Sequence, residues 1–223
     1  MAVYQDLSAF GIANRTYSIE EWLAIEERIG ERFEYHRGRL LSVRAMAGGS
    51  FAHSEIGGNA SYLLGRGVRN AQVDGKTEVH CGVHTSDLKI YIEREQRYLY
   101  ADAVVVCGTP AHDARVPTAI TNPIVVVEVL SPSSVSYDTG VKFDYYSSLP
   151  SLREYVLIMQ DDYRVEVRTR SAPSGPWQVS SARSLEASVT LPSVGIALPL
   201  AEVYRGIQFD DEADANEEGA LVS

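Results

Sequence analysis

The sequence predicts a single α/β domain built on a mixed central sheet. Three observations predict it: helices with clear start signals, short β-branched runs, and a strand–helix–strand unit near the middle of the chain. Of the 223 residues, 45% are hydrophobic and 22% are charged. This ordinary globular mix can bury a core without disulfide or metal support. It excludes a disordered, collagen-like or disulfide-scaffold protein.

The first elements carry strong local signals. Ser18 begins a Ser-x-x-Glu capping box with Glu21, and Gly30 ends the helix that follows. Residues 33–43 predict a β-hairpin that turns near Arg37 and Gly38. A second helix is expected at about 50–66, with its apolar residues at helical spacing.

The middle of the chain predicts the sheet itself. Strands are expected at 87–92, 97–107, 124–130, 155–160 and 163–169, with a helix at about 137–148. The core order is therefore helix, three strands, helix, strand. The crossover through the helix after 124–130 predicts a parallel pair, whereas 87–92 and 97–107 predict an antiparallel hairpin. Residues 177–204 predict a β-rich accessory segment with a final short helix.

The charge distribution bears on the partners of the protein. The net charge of −10 argues against nucleic acid, which binds proteins chiefly through their cations. Residues 210–223, however, hold six acids and no Lys or Arg, which leaves −4 for residues 1–209. We therefore expect a folded domain over 1–209 and an acidic, disordered tail over 210–223.

The compartment is predicted from signals that the sequence lacks. The start of the chain has no secretory pattern, and the longest strongly apolar run, 124–127, is far too short to span a membrane. Cys81 and Cys107 are isolated and match neither a zinc spacing nor a disulfide framework. We expect two separate thiols in a reducing cytoplasm, and no membrane association.

Two carboxylates interrupt the predicted central strands. Asp102 lies in the run Tyr-Ala-Asp-Ala-Val-Val-Val, and Glu128 lies in Ile-Val-Val-Val-Glu-Val-Leu. A carboxylate among valines costs several kcal/mol unless it is paired, protonated or bound to metal. On neighbouring strands the two carboxylates can converge, and with the backbone carbonyl of Val129 they form an oxygen-rich site that suits Mg²⁺.

Lys142 is the third candidate. It lies four residues after Asp138 on the predicted helix, so it is either a surface lysine in an i,i+4 ion pair or an ammonium that points back over the end of the Glu128 strand. In the second position it could align a water molecule and offset the charge that develops on a phosphate.

These residues resemble a known family. The matching stretches are Phe-Glu-Tyr-His-Arg-Gly at 33–38, His53, Ser-Asp-Leu at 86–88, the Asp102 run, and Pro-Ile-Val-Val-Val-Glu-Val-Leu-Ser-Pro-Ser-Ser at 123–134 followed by Asp138, Lys142 and Tyr146. The chain resembles, over about 16–170, the Uma-two endonucleases, a bacterial branch of the PD-(D/E)xK, restriction-endonuclease-like superfamily.

The resemblance implies a fold, an activity and site residues. It implies a restriction-endonuclease-like core and a Mg²⁺-dependent nuclease, with Mn²⁺ able to substitute. The expected substrate is nucleic acid, with DNA expected before RNA, and the expected assembly is a homodimer. Asp102 stands for the aspartate of the PD element and Glu128 for the acidic residue of the (D/E)xK element. Ala101 replaces the usual proline, and Leu130 replaces the usual lysine, so Lys142 is expected to supply the ammonium from the helix.

Four further matched residues have two interpretations each. Asp87 is either a metal ligand or a surface residue, and His53 is either a core histidine or a supporting residue of the site. Glu34 either orients a site residue or is solvated. Tyr146 either holds Lys142 or phosphate, or packs in the core.

Two other functions remain open at this point. The first is a non-catalytic module on the same fold that binds nucleic acid or a protein, because Leu130 cannot replace the missing lysine. The second is a metal-dependent hydrolase of a small phosphorylated substrate, which the low positive charge would suit.

Overall fold

The computed structural model describes residues 7–43, 50–75 and 79–209. Its helices are α1 (Ile19–Ile29), α2 (Phe51–Val73), α3 (Phe143–Ser147) and α4 (Leu200–Val203), with a π-helical turn, Tyr137–Lys142, directly before α3. Its strands are β1 (Phe33–His36), β2 (Arg39–Ser42), β3 (Cys81–Thr85), β4 (Lys89–Ile92), β5 (Arg97–Leu99), β6 (Ala103–Cys107), β7 (Ala119–Ile120), β8 (Val125–Leu130), β9 (Glu154–Met159), β10 (Val165–Thr169), β11 (Gln178–Ala182), β12 (Ser188–Leu191) and β13 (Ile196–Pro199). The predicted acidic tail, 210–223, lies outside the described residues.

The central sheet is mixed, as predicted. Its six strands lie in the order β11-β10-β9-β8-β6-β3. β8 and β9 are parallel, with Val127 opposite Val156, and the helical segment between them makes the crossover. β6 runs antiparallel to β8 on the other side, so β8 is an interior strand and all six of its residues are buried. This burial explains why its sequence is an almost unbroken apolar run.

The two faces of the central sheet pack against different layers. Val125, Val127 and Val129 face α2 and the β12–β13 hairpin, whereas Val126 and Leu130 face Tyr146 on α3. Because side chains alternate along a strand, Glu128 shares the face of Val126 and Leu130. The one charged residue of β8 therefore points toward the helical segment that carries Lys142.

A second sheet in the order β2-β1-β5-β4-β7 packs with α1 around Trp22, which is fully buried. The predicted capping box of Ser18 and Glu21 is confirmed, and Gly30 ends α1 in the left-handed conformation. The β1–β2 hairpin turns at Arg37 and Gly38, both at positive φ, as a two-residue turn between antiparallel strands requires.

The prediction of one continuous strand over 97–107 is wrong. β5 pairs in the second sheet with β1 and β4, whereas β6 pairs in the central sheet with β3 and β8. The chain passes from one sheet to the other at Tyr100–Asp102, so Asp102 lies at this crossing and not within a strand. The apolar run looks continuous in sequence because both of its halves are buried.

The predicted end of the second helix is also wrong. α2 continues past residue 66 to Val73, through Gly65 and Gly67. A Cβ on Gly67 would lie only 2.8 Å from Ile196 of β13, so the glycine allows close packing of the hairpin on the helix. Tertiary contact here outweighs the low helix propensity of glycine.

The prediction of two separate thiols is wrong as well. Cys81 and Cys107 form a disulfide, because they face each other in register across β3 and β6 with 4.0 Å between their Cα atoms. Residues 81–85 carry no clear strand pattern in the sequence, so β3 was not predicted, and without that strand nothing places the two cysteines together. The disulfide removes one of the two grounds for a cytoplasmic location, which stays a prediction.

Within residues 7–43, 50–75 and 79–209, the helices lack the combination of length and apolar composition that a membrane span needs.

The disulfide makes a testable prediction about stability. Cys81→Ser should lower the free energy of unfolding by about 2–4 kcal/mol, because the bond closes a loop in the unfolded chain. Urea unfolding without reductant measures this difference, and it should largely vanish in excess dithiothreitol. Maleimide labelling of both cysteines in denatured, unreduced protein would contradict the disulfide.

Candidate active site

A small cleft lies where the two sheets, α2 and the π-helical turn meet. The volume of the cleft that is open to the centre of a water molecule is about 40 Å³, which leaves room for a few waters or a hydrated ion. Its charged and ionisable lining comes from distant parts of the chain: Glu34, His53, Asp102, Glu128, Asp138 and Lys142. The structure therefore brings Asp102, Glu128 and Lys142 to one place.

Glu128 and Lys142 form the closest ion pair of the cleft. Lys142 Nζ lies 2.8 Å from Glu128 Oε1, and both side chains are about 95% buried. Leu130, where the family pattern has lysine, is buried in the core on the same face as Glu128. The ammonium thus reaches Glu128 from the helical segment and not from the strand.

The π-helical turn positions Lys142 between two further carboxylates. Its Nζ lies 3.4 Å from Asp138 Oδ1 and 3.6 Å from Glu34 Oε1. The interpretation of Lys142 as a surface lysine is therefore wrong: the i,i+4 pair with Asp138 exists, but it is buried. π-helical turns are rare and occur frequently at functional sites.

Asp102 reaches the cleft from the crossing between the sheets. Its Oδ2 accepts a hydrogen bond from the backbone N–H of Val129 at 2.6 Å. The pairing of β8 with β6 ends at Val127, so β6 offers no acceptor to the backbone N–H of Val129. The Asp102 carboxylate accepts the hydrogen bond from this N–H instead. About a fifth of the side chain is exposed, which leaves the carboxylate open to a ligand.

Glu34 is held more rigidly than a solvated hairpin residue would be. It is fully buried, and its Oε2 accepts hydrogen bonds from Tyr137 Oη at 2.8 Å and His36 Nε2 at 2.9 Å. Neither Tyr137 nor His36 was among the site residues that the sequence predicts. Tyr137 had no local signal, and His36 belonged to a matched stretch without any chemistry assigned to it.

The other candidates divide between the cleft and its surroundings. His53 lines the cleft with its Nε2 3.6 Å from Asp102 Oδ2. Asp87 is a surface residue, since its side chain is 88% exposed and pairs with Arg32. Tyr146 is a core residue, packed 5.7 Å from the ring of Tyr155, and its hydroxyl has no hydrogen-bond partner among the described residues.

The electrostatics of the cleft are unbalanced. Among the described residues of the cleft, Asp102, Glu128, Asp138 and Glu34 face one ammonium, so these ionised side chains together carry an excess of three negative charges. Burial raises the pKa of Glu128 well above its usual value, and Asp138 and Asp102 add to the increase against the opposing effect of Lys142. Burial likewise raises the pKa of Asp138.

Two groups of the cluster keep their charge in spite of burial. Burial acts to lower the pKa of Lys142, but the charges of Glu128, Asp138 and Glu34 outweigh it and hold the pKa well above its usual value. Burial acts to raise the pKa of Glu34, but Lys142, His36 and Tyr137 outweigh it and hold the pKa below its usual value. Lys142 and Glu34 are therefore a stable charged pair.

The donor set of the cleft fits a hard divalent cation. Asp102 and Glu128 supply carboxylate oxygens. The carbonyl of Leu130 accepts a hydrogen bond from the backbone N–H of Gln160 on the β9 side. Because the carbonyls of successive residues in a strand point to opposite sides, the carbonyl of Val129 points to the side of Asp102. Such all-oxygen ligation suits Mg²⁺, and the cation would balance two of the three excess charges.

The raised pKa of Glu128 makes a prediction for metal-free protein. A neutral Glu128→Gln removes the penalty of an ionised buried carboxylate, but it also removes a charged partner of Lys142, so the prediction concerns how its effect on the free energy of unfolding changes with pH. The effect should be more favourable at pH 8 than at pH 5, since the penalty grows as pH rises from the unfolded pKa through the raised folded pKa. Urea unfolding in EDTA at both pH values measures it.

The matched control is Asp87→Asn, which removes the same charge from an exposed position and should change stability little at either pH. An effect of Glu128→Gln that is equal at pH 5 and pH 8, or less favourable at pH 8, would contradict the raised pKa of Glu128.

Comparison with known proteins places this architecture in a family. The chain is 34% identical over 192 residues to "Uncharacterized protein slr1290" of Synechocystis, covering 86% of this chain and 93% of that protein. It is 33% identical over 146 residues to "Uncharacterized protein sll1609" of the same organism, covering 66% and 76%. A crystal structure from Anabaena variabilis, described as "a putative nuclease belonging to DUF820", has the same fold: the TM-score is 0.62 at 16% identity, covering 84% of this chain and 97% of that one.

The resemblance found in the sequence is thereby confirmed. The family model for Uma2, "Putative restriction endonuclease", matches residues 19–201, which includes every residue of the cleft. The chain belongs to the Uma2 family of restriction-endonuclease-like proteins.

Proposed function

We propose that the protein is a metal-dependent endonuclease that hydrolyses phosphodiester bonds of nucleic acid, with DNA as the expected substrate. The observation that carries this proposal is the position of Lys142, with its ammonium 2.8 Å from Glu128 in a cleft that Asp102 also lines. An ammonium beside a pair of carboxylates is the arrangement that the family resemblance implies, reached here from a different element.

Each residue has a role in this proposal. Asp102, Glu128 and the carbonyl of Val129 would hold the cation. A bound Mg²⁺ would polarise a phosphate oxygen and lower the pKa of a water molecule. Lys142 aligns the attacking water and balances the charge that develops on the phosphate. His53, on the Asp102 side of the cleft, orients that carboxylate.

The net charge does not oppose this function. Six of the ten excess negative charges belong to residues 210–223, and a cation held by Asp102 and Glu128 would offset two more. We expect modest, salt-sensitive affinity for nucleic acid. Cleavage of both strands of a duplex would use two such clefts, so we propose a homodimer, which sedimentation in the presence of duplex DNA tests.

The decisive experiment uses Asp102→Asn. The amide oxygen of asparagine can still accept the bond from Val129 N–H, so the fold should persist while the ligand charge is lost. We expect wild-type protein to cleave DNA with Mg²⁺ or Mn²⁺ and not in EDTA. The variant should lose at least a hundredfold in kcat, the size expected when a group that stabilises the transition state is removed.

Asp87→Asn is the control for this experiment, because the same chemical change at an exposed position outside the cleft should leave the rate unchanged. Wild-type protein that cleaves neither DNA nor RNA with either metal would count against the nuclease.

Metal binding gives an independent prediction. Isothermal titration should detect one Mn²⁺ per chain in wild-type protein and lose it in Asp102→Asn, while Asp87→Asn binds normally. Binding that survives Asp102→Asn unchanged would place the cation elsewhere.

One observation favours a second function. Within the described residues, no group of three or more His, Cys, Asp or Glu is arranged as a metal cluster, and Glu128 is already paired with Lys142. A non-catalytic module that binds nucleic acid would have this character. It would bind DNA in EDTA, and Asp102→Asn would not change its affinity.

A further inference from the structure

We propose that Glu34 is the second counter-ion of Lys142, and that it receives the ammonium when Glu128 turns to the divalent cation. This inference rests on the proposed function, because it needs the cation to bind at Asp102 and Glu128. Glu34 would then be a positioning residue that keeps Lys142 charged and directed into the cleft throughout the reaction.

Glu34 has one carboxylate oxygen that accepts no hydrogen bond from the described residues. This oxygen, Oε1, is buried and faces Lys142 Nζ at 3.6 Å. Glu128 Oε1 holds the same ammonium at 2.8 Å. The ammonium therefore lies between Glu128, which is in close contact, and Glu34, which is slightly farther away. A shift of less than 1 Å toward Glu34 would bring the second pair to hydrogen-bonding distance.

The other oxygen of Glu34 fixes its orientation. Oε2 accepts from Tyr137 and His36, and Tyr137 belongs to the same π-helical turn as Lys142. His36 in turn contacts Arg97 of β5. The carboxylate is thus held from the hairpin and from the turn, so it cannot swing away when Lys142 approaches.

The exchange solves a conflict at Glu128. A divalent cation on this carboxylate would weaken its attraction for the ammonium, because two cations would then share one negative charge and repel each other. If Glu128 turned away without a second partner, Lys142 would keep only Asp138, at 3.4 Å, and a buried charge left short of partners is strongly destabilising. Glu34 should therefore strengthen cation binding without touching the cation.

Tyr137→Phe tests this without changing any charge. It removes the hydroxyl that fixes Glu34, so the affinity for Mn²⁺ measured by isothermal titration should fall roughly tenfold, as for other residues that support metal ligands. In the nuclease assay kcat should fall while KM stays near the wild-type value. The control is Tyr35→Phe, which removes a hydroxyl of the same hairpin that donates to the carbonyl of Tyr17, away from the cleft, and should change neither.

The Lys142→Met background separates exchange from a general effect on the site. Without the ammonium no exchange from Glu128 to Glu34 can occur, so Tyr137→Phe should have no effect on Mn²⁺ affinity in the Lys142→Met variant. An equal loss with and without Lys142 would overturn the proposal, as would unchanged Mn²⁺ affinity in Tyr137→Phe. If Lys142→Met fails to fold, the fall in kcat at constant KM in Tyr137→Phe decides in its place, and an unchanged kcat overturns the proposal.

The outcomes also separate this inference from the proposed function. Wild-type protein that binds no Mn²⁺ would overturn both. Wild-type protein that binds Mn²⁺ and cleaves DNA, with a Tyr137→Phe variant indistinguishable from it, would overturn the role of Glu34 alone.

Discussion

The cleft depends on one buried ammonium surrounded by carboxylates. Lys142 makes it possible for Glu128, Asp138 and Glu34 to lie close together in the interior, since without its charge they would have to bind protons. Among the described residues the compensation is incomplete, because four carboxylates of the cleft face one ammonium. The proposal of a bound cation rests on this charge deficit, which follows from charge counting without reference to any relative.

The ammonium reaches Glu128 because of how the chain connects β8 to β9. A parallel pair requires a crossover, and here it includes a π-helical turn that directs both Asp138 and Lys142 toward Glu128 near the C-terminal end of β8. A lysine at position 130 would reach the same space from the strand, but Leu130 fills the core there. The fold therefore accepts the same charge from either side of one carboxylate, which explains how this chain can do without the usual lysine.

The sequence was sufficient wherever a signal was local. The capping box of α1, the hairpin turn at Arg37 and Gly38, and the parallel pair around the crossover were all predicted correctly, because each depends on a few neighbouring residues. The predictions failed where distant parts of the chain decide. The break at Asp102 depends on which sheet each half joins, and the Cys81–Cys107 bond depends on a strand with no clear pattern.

The site residues differ in the same way, since local sequence identifies some of them and tertiary packing alone reveals the others. The apolar surroundings of Asp102 and Glu128 were enough to single them out, since a buried acid is conspicuous in a sequence. Glu34, His36 and Tyr137 could not be assigned, because their roles arise only when the hairpin packs on the π-helical turn. A position such as Glu34 is ambiguous in sequence because a hairpin can be solvated or buried with the same residues.

The bond between Asp102 and the N–H of Val129 has a consequence for the history of such a chain. Under the proposed function, selection would act on Asp102 twice, once for the ligand charge and once for a backbone donor that needs an acceptor. Asparagine satisfies the second demand and not the first. A lineage that ceased to cleave nucleic acid could therefore acquire asparagine at position 102 with its fold intact. Loss of Lys142, in contrast, would leave the surrounding carboxylates without a compensating positive charge. Asp102 would therefore be replaced before Lys142, because only its replacement leaves the fold intact.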